Sequence, residues 1–218
     1  MDFKTLLFDQ RLRFPSSIIV AGVSGGGKTH WIYKLLREQD TLFTEPIHSC
    51  LLCYGAYQPL YAEMMQTVPN LSINDGCNEN VLKQHGILDP SKRTVLVIDD
   101  LHVEMANDPL LSKLFCKFSH HMNTAVIFVT QNMYRQGRQM RDVISNCHYL
   151  CFLTQPRDKT AVMCLARQMY PRQTGYFMQA YNEATEQPFG YLLIDARPET
   201  HNELRLRSGL FSNEQSVA

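Results

Sequence analysis

The chain lacks any apolar run approaching 18 residues, which excludes a membrane-spanning helix. Its opening, Met1-Asp2-Phe3-Lys4-Thr5-Leu6-Leu7-Phe8-Asp9, holds no apolar stretch long enough for a secretory signal. Low-complexity tracts and fixed-period repeats are missing too, so an ordered globule is expected and a solenoid is not. Net charge is absent: 21 lysines and arginines balance 21 aspartates and glutamates. A nucleic-acid partner is therefore not announced by bulk charge and would need a local basic surface or an assembled channel. The seven cysteines are an odd number in a chain without a secretory signal, which reads as reduced thiols in a cytosolic or nuclear setting. The 218 residues suit one α/β domain over residues 1–211, with residues 212–218 expected to form an unstructured tail.

Against those absences stands one dense motif. Gly22-Val23-Ser24-Gly25-Gly26-Gly27-Lys28-Thr29 fits G-x-x-x-x-G-K-[ST], the phosphate-binding loop of nucleoside triphosphatases. The apolar run Ser17-Ile18-Ile19-Val20-Ala21 precedes it, and Trp31-Ile32-Tyr33-Lys34-Leu35-Leu36 follows with helical spacing. A loop between strand and helix lets glycine N–H groups close around phosphate oxygens while the helix presents its positive end to the same anion. Lys28 would reach the outer phosphates of ATP, the Thr29 hydroxyl would hold Mg2+, and His30 completes the nucleotide-contacting stretch. A glycine-rich turn is the bland alternative, and the strand–helix context argues against it.

Further apolar runs recur at the spacing of an α/β sheet. Strands are expected at His48–Tyr54, Leu71–Ile73, Thr94–Asp100, Thr124–Thr130 and Tyr149–Leu153. Helical patterns lie around Tyr61–Met65, from about Pro109 to His121 (Leu110, Leu111, Leu114, Phe115 and Phe118 on one face), and from about Asp158 to Met169. Continuous apolar strands alternating with amphipathic helices predict a parallel sheet covered on both faces. Gly190–Asp195 and the alternating Glu203-Leu204-Arg205-Leu206-Arg207 read as added, antiparallel strands.

Ligands of open parallel sheets sit at the carboxyl ends of the strands, where the loop, Asp99 with Asp100, and Gln131 all fall. Asp99 after four apolar residues fits the second nucleotide motif, a carboxylate supporting Mg2+; the plainer role is a cap on the strand–helix turn. Asp100 stands where many such ATPases carry the acid that orients the attacking water. It is shorter than the common glutamate, and Glu104 one turn on is the other candidate base. An amide both donates and accepts, so Gln131 suits orientation of the γ-phosphate or the water. Arg135, Arg138 and Arg141 follow three apart, either as one helix face or as a cationic fringe. One of them is a candidate arginine finger; solvated charges and nucleic-acid backbone contacts are the alternatives.

Other residues carry less. Cys50 and Cys53 on a strand point to opposite faces, whereas Cys147 and Cys151 are expected to share one and to behave as small hydrophobes, so no metal–thiolate site is expected. The adjacent His120 and His121 point apart on a helix, which makes a two-histidine metal site a poor fit.

A resemblance sharpens this. Asp99-Asp100-Leu101, Leu114–Asn123, Val126–Asn132, Gly137–Arg141, Ser145–Tyr149, Gln155–Asp158 and Leu165–Pro171 together resemble viral genome-packaging ATPases of the FtsK/HerA superfamily. The likeness is greatest to the poxvirus-like type of Polinton/Maverick elements and adintoviruses, and it spans nearly the whole chain. It implies a P-loop NTPase of RecA-like (ASCE) three-layer fold, with an extra strand between the loop strand and the Asp99 strand. It also implies a homo-oligomeric ring that drives double-stranded DNA into a capsid, hydrolysing ATP with Mg2+. Implied partners are DNA and a viral capsid or vertex protein, with no membrane, inside an infected host cell and transiently at the capsid. By position Gln131 matches the family's polar sensor, and Arg141, then Arg138, is the arginine carried over as a finger acting in trans. A nucleoside or nucleotide kinase, and a nucleotide-gated scaffold that hydrolyses little, remain as alternatives.

Overall fold

The computed structural model describes residues 9–214 other than 106, 132 and 134–137, with the side chains of 102, 120, 138 and 139 also outside the described set. Among these residues eight strands form one sheet: β1 (Ser17–Ala21), β2 (Ser49–Tyr54), β3 (Leu71–Asp75), β4 (Thr94–Asp99), β5 (Thr124–Thr130), β6 (Tyr149–Leu153), β7 (Tyr191–Asp195) and β8 (Leu206–Arg207). Their order is β3-β2-β4-β5-β1-β6-β7-β8, parallel from β3 to β6 and antiparallel beyond. The strand implied between the loop strand and the Asp99 strand is β5, which pairs with β1 on one side and β4 on the other.

Strands this apolar are stable only if both faces are covered. Alternate residues supply two cores. Ile19, Leu96, Ile98, Val126 and Phe128 face one side, against α3 (Pro109–Lys113, continuing through a π-helical stretch Leu114–Phe118 to Ser119–His121), α4 (Arg138–Ser145), α5 (Thr160–Met169) and α6 (Thr174–Ala184). Ile18, Val20, Leu52, Val95, Val97 and Ile127 face the other, against α1 (Lys28–Arg37) and α2 (Leu60–Thr67). Phe128 is wholly buried, so truncating it to alanine would cost about 3–5 kcal/mol.

Several expectations are corrected. Cys147 packs in the first core and Cys151 in the second; Cys147 precedes β6, outside the strand alternation that would put it on the Cys151 side. Of Glu203–Arg207 only Leu206–Arg207 pairs as a strand, because the amides of Leu204 and Arg205 donate to His201 and Asn202 within a 3-10 turn. The Thr94 strand stops at Asp99, since Asp100 takes φ 56°. Helix α6 was not foreseen. Ser212–Glu214, expected in the tail, are held instead. The Ser212 amide donates to Glu38, and Glu214 pairs with Lys34 at 3.1 Å and accepts from Tyr191 at 2.7 Å. Phe211 beside them is buried edge-on to Trp31 and Tyr191.

Candidate nucleotide-binding site

The order β4-β5-β1 brings three carboxyl-terminal strand ends side by side. From β1 the chain enters the glycine loop, anchored where the Gly22 amide donates to the Thr130 carbonyl at the end of β5 (3.3 Å). Inside the loop the Gly26 amide donates to Val23 O at 3.0 Å, and Gly25 and Gly27 take φ 73° and 93°. At Gly27 the left-handed backbone and a close neighbour both demand the missing side chain, for a Cβ there would lie 2.7 Å from the Phe189 ring. Helix α1 begins at Lys28, with no acid in its first turn to oppose an incoming anion.

Lys28 Nζ donates to the carbonyls of Gly22 (2.8 Å) and Val23 (2.9 Å), curled over its own loop. Burial lowers its affinity for a proton, while the carboxylates of Asp99 and Asp100 pull in the opposite sense. The Thr29 hydroxyl donates to Asp99 Oδ2 at 3.1 Å, and the Tyr61 hydroxyl donates to the same oxygen at 3.0 Å. Asp99 is buried, and burial pushes its carboxyl above the usual carboxylate range; the Tyr61 and Thr29 hydrogen bonds and the Lys28 charge restrain the rise, and the Asp100 charge adds to it. A buried carboxylate beside a threonine hydroxyl at a loop built for phosphate is the oxygen donor set that suits magnesium.

Around these groups lies a cleft of about 500 Å³. Ser24, Gly25, Gly27, Lys28, Thr29, His30, Asp99, Asp100 and Gln131 line it, so most of the residues singled out in the sequence converge. Gly22, Val23 and Gly26 shape the loop beneath without lining the cleft. Asp100 turns into the cleft on its left-handed backbone, while Glu104 is exposed on the short helix His102–Met105 and does not line it. Arg141 is exposed on α4 and is not a lining residue of its own chain's cleft. Arg135 and the side chains of Arg138 and His120 lie outside the described residues. Cys50 and Cys53 fall in opposite cores, as strand geometry requires, and Cys50 Sγ donates to Gln39 Oε1 at 3.1 Å.

Four contributors were not read from sequence. Tyr61 looks like a core residue of α2, and its hydroxyl finds Asp99 only in the folded sheet. Gln58, in the turn after β2, lines the cleft. At Gly55 a Cβ would fall on the Asp100 carbonyl, so the chain leaving β2 runs against the backbone that aims Asp100. Phe189 reaches the cleft from the turn before β7; its only local signal is an aromatic set between Pro188 and Gly190.

The DNA-packaging ATPase B204 from Sulfolobus turreted icosahedral virus superposes with a TM-score of 0.60 at 12% identity, over 94% of this chain and 98% of B204. The chain shares the fold of a viral packaging ATPase. B204 of Sulfolobus turreted icosahedral virus 2, in complex with AMP, matches at TM-score 0.56 and 13% identity, covering 88% of this chain and 96% of that one. The cytoplasmic domain of the type VII secretion ATPase EccC from Thermomonospora curvata matches at 0.53 and 10% identity, over 88% of this chain and 27% of EccC. No protein-family model matches the sequence, and no curated protein does. The chain has a P-loop NTPase fold, with a mostly parallel sheet of eight strands among the described residues, and it shares that fold with B204. Among the described residues no helix is long and apolar enough to cross a membrane.

Proposed function

We propose that this chain is an ATPase that moves double-stranded DNA into a viral capsid, as a homo-oligomeric ring of the FtsK/HerA type. The observation that carries the nucleotide half is the meeting of Lys28, Thr29, Asp99, Asp100 and Gln131 in one cleft at the strand ends. The motor half is supported by the fold shared with B204 over nearly the whole of both chains, and by the sequence resemblance to packaging ATPases of Polinton/Maverick elements.

Each residue then has a task. Amides of Gly25 to Thr29 and the start of α1 receive the phosphates. Lys28 leaves the Gly22 and Val23 carbonyls for the outer phosphate oxygens, a short move that exchanges two neutral acceptors for charged ones. Thr29 and Asp99 would hold magnesium, which when bound neutralises charge on the outer phosphates. Asp100 accepts the proton side of the attacking water, and Gln131 orients that water against the γ-phosphate. Arg141, exposed and outside its own cleft, enters the site of the adjacent subunit, which couples hydrolysis to neighbour geometry.

Because the chain has no net charge, DNA contacts are few per subunit and their sum is strongly salt-sensitive. The test is the ATPase rate with and without double-stranded DNA, beside the mass in solution. A DNA-stimulated oligomer supports the motor. A monomer that phosphorylates nucleosides, or a protein with negligible turnover, contradicts it.

A further inference from the structure

Phe189 is out of place as a structural residue. It is 66% exposed, and it takes φ 65°, a left-handed conformation that costs a side chain of this kind on the order of 1 kcal/mol or more. An exposed ring recovers little of that by burial. The turn that holds it is closed by the Gly190 amide donating to Gln187 O at 2.9 Å, between the end of α6 and the start of β7. Tyr57, Met65, Val103 and Tyr176 are also exposed and large, yet of these five only Phe189 lines the phosphate cleft. Its ring presses on Gly27, immediately before Lys28. It also forms a wall of a neighbouring cavity of about 670 Å³, shared with Tyr176, Gln179, Gln187 and Tyr191. The ring therefore stands between the phosphate loop and a roomy adjoining space.

A nucleotide held by its phosphates must place its base on something beyond the loop. Apart from Phe189 and the buried Val129, the cleft is lined by polar, charged or glycine residues. We infer that Phe189 is the platform on which the heteroaromatic base of the bound nucleotide stacks, an inference that rests on the nucleotide reading above. Every base has a π-face, so a platform of this kind favours nucleotides over bare polyphosphate and discriminates weakly among bases.

The test is equilibrium binding of ATP, GTP and inorganic tripolyphosphate, each with magnesium, to the wild-type chain and to Phe189→Ala, Phe189→Gly and Phe189→Trp. Glycine accepts the left-handed φ, so Phe189→Gly keeps the test open if the alanine variant folds poorly. Loss of the ring is expected to weaken ATP and GTP about 10-fold and to leave tripolyphosphate unchanged. The tryptophan variant keeps ATP affinity, and its fluorescence is quenched by ATP but not by tripolyphosphate. An equal loss for tripolyphosphate overturns the proposal, since the ring would then be propping Gly27. Unchanged ATP affinity in both truncations overturns it as well, with the nucleotide site intact. A wild-type chain that binds neither ATP nor tripolyphosphate overturns both the platform and the site.

Discussion

Thr29 donates its hydroxyl proton to Asp99 across 3.1 Å, although 70 positions separate them in the chain. The contact exists because β5 enters the sheet between β1 and β4, so that the ends of two strands that are not neighbours flank one cleft. A hydroxyl and a carboxylate that meet in this way are pre-set oxygen donors, and Lys28 on its own loop carbonyls is a charge held ready beside them.

Tyr61 steadies that carboxylate. Tyr61→Phe removes one of the two hydroxyls that aim Asp99 Oδ2 while keeping the ring in the core. Partners behind a metal-binding group are worth about 10-fold or more in metal affinity. The magnesium concentration for half-maximal ATPase should therefore rise about 10-fold, with metal-free ATP binding little changed. Equal magnesium titrations in the two proteins would count against this role.

Gly55 sets the aim of Asp100. Gly55→Ala forces a methyl group onto the Asp100 carbonyl, a clash of backbone with side chain that no rotamer relieves. Thermal melts should show a loss of roughly 1–3 kcal/mol, and turnover per folded molecule should fall. A variant that melts and turns over like the wild type would refute the close approach.

Arg141 is expected to act on the neighbouring subunit. Arg141→Ala should lower hydrolysis by ~10³-fold or more with nucleotide affinity near normal. Mixing it with Lys28→Ala should restore part of the activity, because some interfaces then hold one intact arginine and one intact loop. Failure to recover at any ratio would exclude shared sites.

The cysteines give a pH signature. Burial pushes the Cys50 and Cys147 thiols up to about 12 from an ordinary 9.0. Their folded pKa lies above the unfolded one, so their share of stability is complete below pH 9 and is lost as pH rises toward about 12. The slope in that window is on the order of 1.4 kcal/mol per pH unit for each thiol. Denaturant melts at stepped pH measure it, and Cys50→Ala with Cys147→Ala should flatten the curve. At pH 8 a thiol reagent should modify the exposed Cys116 and spare Cys50 and Cys147.

What was legible in sequence was what local patterning encodes. The loop, Asp99 and Gln131 announce themselves because each follows an uninterrupted apolar run, and parallel-sheet strands end where ligands bind. Tyr61 and Phe189 gave no such signal. An aromatic at helical spacing reads as core, and its hydroxyl's partner 38 positions away is a product of strand order. Asp195 illustrates the same limit. Its place at the end of β7 was foreseen, but its buried pairing with Arg197 (2.6 Å) and Arg207 (3.4 Å) depends on how the last turn folds back. Separately, the Arg205 guanidinium donates to the Asp195 and Arg197 carbonyls at 2.9 and 2.8 Å, which tightens the turn that leaves Glu203–Arg207 so little strand.

The cleft of Lys28 and Asp99 is expected to take ATP with magnesium. Calorimetric titration of MgATP into the wild-type chain and into Lys28→Ala measures this. One site per chain in the wild type, weakened ~10-fold or more in the variant, is the predicted result. A wild-type chain that takes up no MgATP, or a variant that binds as tightly, would contradict it.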